Sequence, residues 1–181
     1  LDGTLLNTID DLADSANRVW AAHGWPQYET AQYRYFVGNG IPKLVERLAP
    51  ADQRTPAVLE AALADFKRDY GQHLRDTTAP YPGIPEMLAK LKANGVQLAV
   101  FSNKADALAK EVVKDYFGTQ YFTIVRGQMT GVAPKPAAEG TNALLQALHA
   151  DPASTLYVGD SNVDVETAHN ANLPCCGAVW G

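Results

Sequence analysis

The sequence is short of cysteine, and the cysteine it has cannot build a disulfide framework. Its two cysteines are neighbours, Cys175 and Cys176, and adjacent residues cannot link distant parts of a fold. No His or Cys cluster gives them the spacing of a zinc site. We therefore expect no disulfide-stapled domain, predict that the pair is buried in a strand, and expect a reducing, cytoplasmic location.

Long apolar runs and an excess of positive charge are also missing. No run approaches the roughly 18 apolar residues that span a bilayer, and no signal-peptide pattern is visible. A formal net charge of −5 argues against nucleic acid or a membrane as the main partner. The 181 residues, 46% of them hydrophobic, are enough for one full core and a small accessory domain.

The first part of the chain carries helical patterns only. Apolar residues from Ile9 to Trp20 follow helical spacing, and Gly24 with Pro26 ends this pattern. The acidic residues at its start, including Asp11, are explained by a solvated helix end. Further helices are predicted at 32–37, 42–48 and 56–74, and the segment 76–83 is typical of a linker.

Beyond the linker, strands alternate with helices. We predict strands at 96–101, 122–125, 155–158 and 175–179, with a helix between each pair of strands. This order favours an α/β fold with a Rossmann-like, doubly wound parallel sheet. We expect residues 1–7 to begin this core, 8–78 to form an inserted all-helical cap, and 79–181 to complete the core. Such sheets bind ligands at the carboxyl ends of their strands.

Four polar segments lie at those predicted strand ends: Leu1-Asp2-Gly3-Thr4, Phe101-Ser102-Asn103-Lys104, Lys135-Pro136, and Gly159 to Asp164. Each alone fits an ordinary turn or a solvated loop. Found together, in this order and each after a strand, they indicate one functional site. The inserted helical segment follows the first of them directly.

The chemistry of these residues points to phosphoryl transfer. Asp2, Asp160 and Asp164 would converge at one edge, where three carboxylates repel one another unless a cation neutralises them. A small number of oxygen ligands favours Mg²⁺. Thr4 and Ser102 offer uncharged donors for phosphate oxygens, and Lys135 adds a compact positive charge.

These residues resemble the four motifs of the haloacid dehalogenase-like superfamily, which are Asp-x-Asp-Gly-Thr, Ser/Thr, Lys and Gly-Asp-x-x-x-Asp. Within it, the chain looks most like the phosphoglycolate phosphatase group. The supporting stretches are Leu1 to Leu5, Phe36 to Gly40, Tyr81 to Gly83, Phe101 to Lys104, Val158 to Ser161 and Gly177 to Gly181.

The resemblance implies a role for each matched residue. Asp2 would be the general acid and base, and its main-chain oxygen would bind Mg²⁺. Asp160 would ligate Mg²⁺, and Asp164 would hold the metal's waters or orient Lys135. The phosphoryl group would be held by Thr4, Ser102, Asn103 and Lys135. The nucleophilic Asp of the family would fall immediately before Leu1, outside this sequence together with the first strand.

The helical segment offers two candidate substrate contacts. The stretch Gly38-Asn39-Gly40 followed by Lys43 resembles a cap loop that relatives point into the active site. A turn that joins two helices, with a solvated Lys43, explains the same pattern. Gly40 and Lys43 are therefore candidates for substrate choice.

The leading hypothesis is a Mg²⁺-dependent phosphatase that hydrolyses a small phosphate monoester, 2-phosphoglycolate above others, through an aspartyl-phosphate. We expect a small phosphorylated metabolite as its partner, no nucleic acid, no membrane, and a monomer or homodimer. A phosphosugar mutase or phosphonate hydrolase on the same fold is the alternative, although phosphonate enzymes generally lack an acid at the position of Asp2. A second alternative is a catalytically silent member of the family that binds a phosphorylated ligand.

Overall fold

The computed structural model describes residues 1–38 and 40–181. It divides into two compact units, one formed by Leu1–Leu6 with Pro80–Gly181 and the other by Asn7–Ala79. The helices are α1 (Ile9–Ala22), α2 (Thr30–Phe36), α3 (Ile41–Leu48), α4 (Pro56–Gln72), α5 (Ile84–Ala93), α6 (Asp106–Phe117), α7 (Ala138–Leu148) and α8 (Asn162–Asn170). The strands are β1 (Leu6–Asn7), β2 (Ala79–Pro80), β3 (Leu98–Ala105), β4 (Phe122–Gln128), β5 (Tyr157–Gly159) and β6 (Cys175–Gly177).

The unit Asn7–Ala79 is built on an aromatic core. Trp20 of α1 is fully buried and lies 5.2 Å from Trp25 and 6.0 Å from Phe66 of α4, measured between ring centroids. Thr55 accepts a hydrogen bond from the Val58 amide, and Pro56 opens the first turn of α4. Aromatic packing between α1 and α4 therefore holds this unit together.

One acidic residue of α1 behaves differently from the prediction. Asp11 is only 2% exposed, and its carboxylate accepts hydrogen bonds from the amides of Thr77 at 2.7 Å and Thr78 at 2.9 Å. The expectation of a solvated Asp11 is wrong because a segment 66 residues away supplies its donors.

The other unit contains two pairs of parallel strands. β3 pairs with β4, and β5 pairs with β6, both in parallel. In the part of the chain that the structure describes, these pairs form two separate two-stranded sheets, and β1 and β2 form a third. The parallel strands agree with the predicted α/β class, whereas the single continuous sheet of the prediction does not form among these residues.

Two local expectations in this unit are corrected. Both cysteines of β6 are exposed, so the prediction of a buried pair is wrong; the only strand hydrogen-bonded to β6 among the described residues is β5. β3 extends to Ala105, past the predicted end at residue 101. Residues 102–104 are therefore the irregular end of a strand and not a loop that follows it.

The helices of the described segments include none with the length and apolar character needed to cross a bilayer.

Candidate active site

The segment Leu1–Thr4 contacts the carboxyl ends of both strand pairs. Asp2 Oδ1 lies 3.1 Å from Nζ of Lys104, at the end of β3. Thr4 Oγ1 donates a hydrogen bond of 2.5 Å to Oδ1 of Asp160, which follows β5. Asp2 and Thr4 thus bring the two strand pairs together at one edge, where polar side chains were predicted to meet.

Gly3 permits this close approach. Its φ is +76°, in the left-handed region, and a Cβ built on it would collide with the carboxylate of Asp160. A larger residue at this position would therefore displace the Asp160 carboxylate.

Pairing between β3 and β4 becomes irregular at Ser102. Phe101 pairs with Arg126 and Ala105 with Gln128, so the three residues 102–104 lie opposite a single residue of β4. Irregular pairing of this kind re-aims side chains. Ser102 is 5% exposed, and its hydroxyl accepts a hydrogen bond of 3.1 Å from the Lys104 amide.

Asn103 holds the main chain of Lys135. Its side-chain oxygen accepts a hydrogen bond of 2.9 Å from the Lys135 amide, and its side-chain nitrogen donates one of 3.3 Å to the Lys135 carbonyl. The side chain of Asn103 therefore positions Lys135, a function that the motif pattern did not suggest.

Lys135 and Asp164 form a buried ion pair. Lys135 Nζ lies 2.6 Å from Asp164 Oδ1, and their side chains are 10% and 8% exposed. The second oxygen of Asp164 accepts hydrogen bonds from the amide and hydroxyl of Ser161, at 3.1 and 2.7 Å. Burial alone would raise the pKa of Asp164, but Lys135 and Ser161 outweigh it and lower that pKa to about 2. Lys135 is thus fixed by a carboxylate and is not a solvated loop lysine.

The pKa of Asp160 is shifted in the opposite direction from that of Asp164. Burial is the largest influence on its carboxyl group and raises its pKa, despite the hydrogen bond from Thr4 and the positive charge of Lys135. Such a carboxylate fits a cation ligand, because a bound cation would compensate the lost hydration.

A magnesium site here would have few ligands from the protein. Among residues 1–38 and 40–181, no three His, Cys, Asp or Glu side chains form a group that could hold a metal. The Asp160 carboxylate and the Asp2 main-chain oxygen would be the donors. This small oxygen set fits Mg²⁺, which keeps several waters and is usually held by one or two carboxylates.

The candidate substrate contacts lie in the helical unit. Gly40, with a φ of +84°, precedes α3. Lys43 Nζ lies 2.7 Å from Glu46 Oε2, and both side chains are about half exposed. Asn39 lies outside the described residues. The roles of Gly40 and Lys43 in substrate choice stay predictions.

Three residues take part in the site without having been assigned a role from the sequence. Lys104 pairs with Asp2, and its position two residues after Ser102 was the available signal. The Tyr157 hydroxyl lies 3.3 Å from Asp164 Oδ1, and burial followed by the negative charge of Asp164 raises its pKa. Trp180 donates an indole N–H to the Thr4 carbonyl at 3.1 Å. Trp180 lies in the stretch Gly177 to Gly181 that supports the family resemblance, whereas nothing in the local pattern marks Tyr157.

The protein is thus an α/β protein with parallel strand pairs. Near the carboxyl ends of these strands, Lys104 pairs with Asp2 and Lys135 pairs with Asp164. Residues 1–178 match the family model described as haloacid dehalogenase-like hydrolase. The chain belongs to this family.

Similar proteins come from several bacteria. The chain is 33% identical to a phosphoglycolate phosphatase of Mesorhizobium japonicum and 31% identical to one of Thiobacillus denitrificans, in both cases over 100% of this chain and 81% of the relative. A crystal structure of a predicted phosphoglycolate phosphatase from Haemophilus somnus superposes with a TM-score of 0.90 at 28% identity. The superposition covers 100% of this chain and 83% of the Haemophilus somnus chain.

Proposed function

We propose that this protein is a Mg²⁺-dependent phosphatase that hydrolyses a small phosphate monoester, with 2-phosphoglycolate as the leading substrate. The observation that carries the proposal is that the opening segment contacts two strand ends, through Asp2 to Lys104 and through Thr4 to Asp160. The Asp160 amide in turn donates to Asp164, the buried partner of Lys135. The names of the relatives at 33% and 31% identity support the choice of substrate.

The first step would form an aspartyl-phosphate. The Asp expected immediately before Leu1 would attack phosphorus while the bond from phosphorus to the alcohol oxygen breaks. That residue would extend the opening segment, which contacts Lys104 through Asp2 and Asp160 through Thr4. Asp2 would give its proton to the departing alkoxide.

The second step would release phosphate. Asp2, now a carboxylate, would take a proton from the water that attacks the aspartyl-phosphate, and the nucleophile would be regenerated. Lys135, fixed by Asp164 and Asn103, would hold the phosphoryl oxygens through both steps. A hydroxyl that accepts one hydrogen bond can also donate one, so Ser102 is suited to the same group.

Magnesium would be held by Asp160 and the Asp2 main-chain oxygen, and when bound it would neutralise the negative charge of the phosphoryl group. Asp164 is committed to Lys135 and Ser161. Its contacts therefore favour orientation of Lys135 over holding of the metal's waters. Thr4 donates to Asp160 and would serve the site by orienting that carboxylate.

The helical unit would act as the cap that selects the substrate. Gly40 at the start of α3 and Lys43 in its first turn are the proposed contacts. A cationic Lys43 suits an anionic substrate such as phosphoglycolate.

The test is phosphate release from a panel of small phosphate esters by the protein extended upstream of Leu1. We expect turnover of phosphoglycolate with Mg²⁺ and loss of turnover with EDTA. The Asp2→Asn variant should lose roughly 10² or more in turnover, the usual scale for a general acid and base, while its circular dichroism stays unchanged.

Other results would point elsewhere. Turnover that persists in EDTA would overturn the metal assignment. A residue other than Asp before Leu1 would exclude the covalent mechanism and favour a silent, ligand-binding member. Transfer of phosphate between sugar positions without release would favour a mutase.

A further inference from the structure

Lys104 is a buried lysine beside the proposed acid and base. Its side chain is 8% exposed, and its Nζ lies 3.1 Å from Asp2 Oδ1. Lysine is almost never buried without a partner, because burial removes the hydration of its charge. The Asp2 carboxylate therefore compensates part of the cost of burying this ammonium group.

The main chain of Lys104 is fixed as well. It ends the irregular segment 102–104, and its amide donates to the Ser102 hydroxyl at 3.1 Å. Opposite this segment stands Gly127, where an added Cβ would collide with the Lys104 carbonyl oxygen. Both ends of a flexible four-carbon side chain are thus restrained.

Asp2 is less enclosed than its partner. Its side chain is 34% exposed, compared with 8% for Lys104. The carboxylate is therefore held by a buried cation and is still partly exposed, so that a leaving group or water can reach it. The second lysine of the site, Lys135, is directed to Asp164 at 2.6 Å, so the two lysines serve different carboxylates.

We propose that Lys104 is a positioning residue that holds the Asp2 carboxylate in the orientation needed for proton transfer to the leaving alcohol. The inference rests on the proposed function. Lys104 itself exchanges no proton and forms no covalent bond in the reaction. Its effect is to restrict the directions that Asp2 can take, and misplacement of an acid by 1 Å is costly to catalysis.

The test compares two substrates that differ in their need for an acid. Phosphoglycolate releases glycolate as a poorly stabilised alkoxide, whereas p-nitrophenyl phosphate releases a phenolate that needs little protonation. In the protein extended upstream of Leu1, Lys104→Met should lower kcat/KM for phosphoglycolate by roughly tenfold or more. For p-nitrophenyl phosphate it should change kcat/KM by less than about threefold. Lys104→Arg should restore part of the loss, and Lys110→Met, on the exposed side of α6, is the matched control.

The outcomes separate the two proposals. An equal loss for both substrates would assign Lys104 to phosphate binding or folding and overturn the inference, as would the absence of any loss. If the parent enzyme releases phosphate from neither substrate, the proposed function fails and the inference fails with it. If Asp2→Asn is selective for phosphoglycolate and Lys104→Met is not, only the inference fails.

A crystal structure of Lys104→Met gives a readout that does not depend on activity. We expect the Asp2 carboxylate to leave the position it has beside Lys104 in the parent protein, while the Lys135–Asp164 pair stays in place. An Asp2 side chain unmoved in the variant would overturn the inference.

Discussion

Gly3 is the residue at which backbone conformation decides the chemistry of the site. It has φ +76° and no room for a Cβ, because the Asp160 carboxylate occupies that space. We predict that Gly3→Ala displaces Asp160, lowers phosphatase activity by at least roughly tenfold and destabilises the fold by roughly 2 kcal/mol. Steady-state kinetics and urea denaturation would measure both effects.

Gly24 supplies the matched control. It has a similar φ of +69°, but nothing lies within 4 Å of the Cβ position. Gly24→Ala should carry only the cost of left-handed backbone, about 1 kcal/mol, and retain full activity. Equal loss of activity in both variants would show that strain alone accounts for the effect at Gly3.

Residue types at strand ends were readable from the sequence, but their partners were not. The spacing around Asp160 and Asp164 was enough to predict an acidic site. It could not show that Thr4 donates to Asp160 or that Asn103 holds the Lys135 main chain, because these contacts join residues 156 and 32 positions apart. A partner is fixed by the folded chain, whereas a residue type is visible in any short segment.

At the scale of elements, periodicity predicted the helices and strands well, since each depends on residues a few positions apart. The end of β3 was misplaced, because the irregular pairing of 102–104 is set by β4 and not by the residues themselves. The exposure of β6 was likewise unreadable, since a strand's burial depends on its neighbours.

Helix α1 is attached to the segment before β2 through Asp11. The two carboxylate oxygens of Asp11 accept hydrogen bonds from the amides of Thr77 and Thr78. Oδ1 also accepts a hydrogen bond of 2.5 Å from the Thr77 hydroxyl. An amide in place of the carboxylate would turn one N–H group toward these donors. We therefore predict that Asp11→Asn lowers the free energy of unfolding by about 1–3 kcal/mol, measured by urea denaturation.

Asp14, one turn later on the same helix, is exposed and provides the comparison. Asp14→Asn should change the free energy of unfolding by less than about 0.5 kcal/mol. If the two variants were equally stable, the buried hydrogen bonds of Asp11 would contribute nothing net.

For the whole molecule, acid should reduce stability in part through Asp164. Its pKa falls from the ordinary 3.8 to about 2 in the folded protein, where Lys135 and Ser161 outweigh the effect of burial. The unfolded chain therefore binds the proton more readily. The stabilisation is complete above pH 3.8 and is lost as the pH falls toward 2. Since one pKa unit corresponds to about 1.4 kcal/mol, its size is roughly 2 kcal/mol.

Comparison with Asp164→Asn isolates this contribution. Without added metal, the difference in unfolding free energy between parent and variant should be largest near neutral pH and shrink below pH 4 by roughly 2 kcal/mol. Glu166→Gln, at an exposed position on the same helix, should shift stability by under about 0.5 kcal/mol. A difference that does not change with pH would contradict the ion pair.

The sequence separation of the contacts made by the opening segment determines when the site can form during folding. Asp2, Thr4 and Trp180 make contacts that span 102, 156 and 176 positions of the chain. Closing such long loops costs entropy before any contact can compensate it, so high sequence separation slows folding. The helices and the strand pairs can therefore assemble while this edge is still open, and its contacts are complete only after the segment that contains Trp180 has been synthesised.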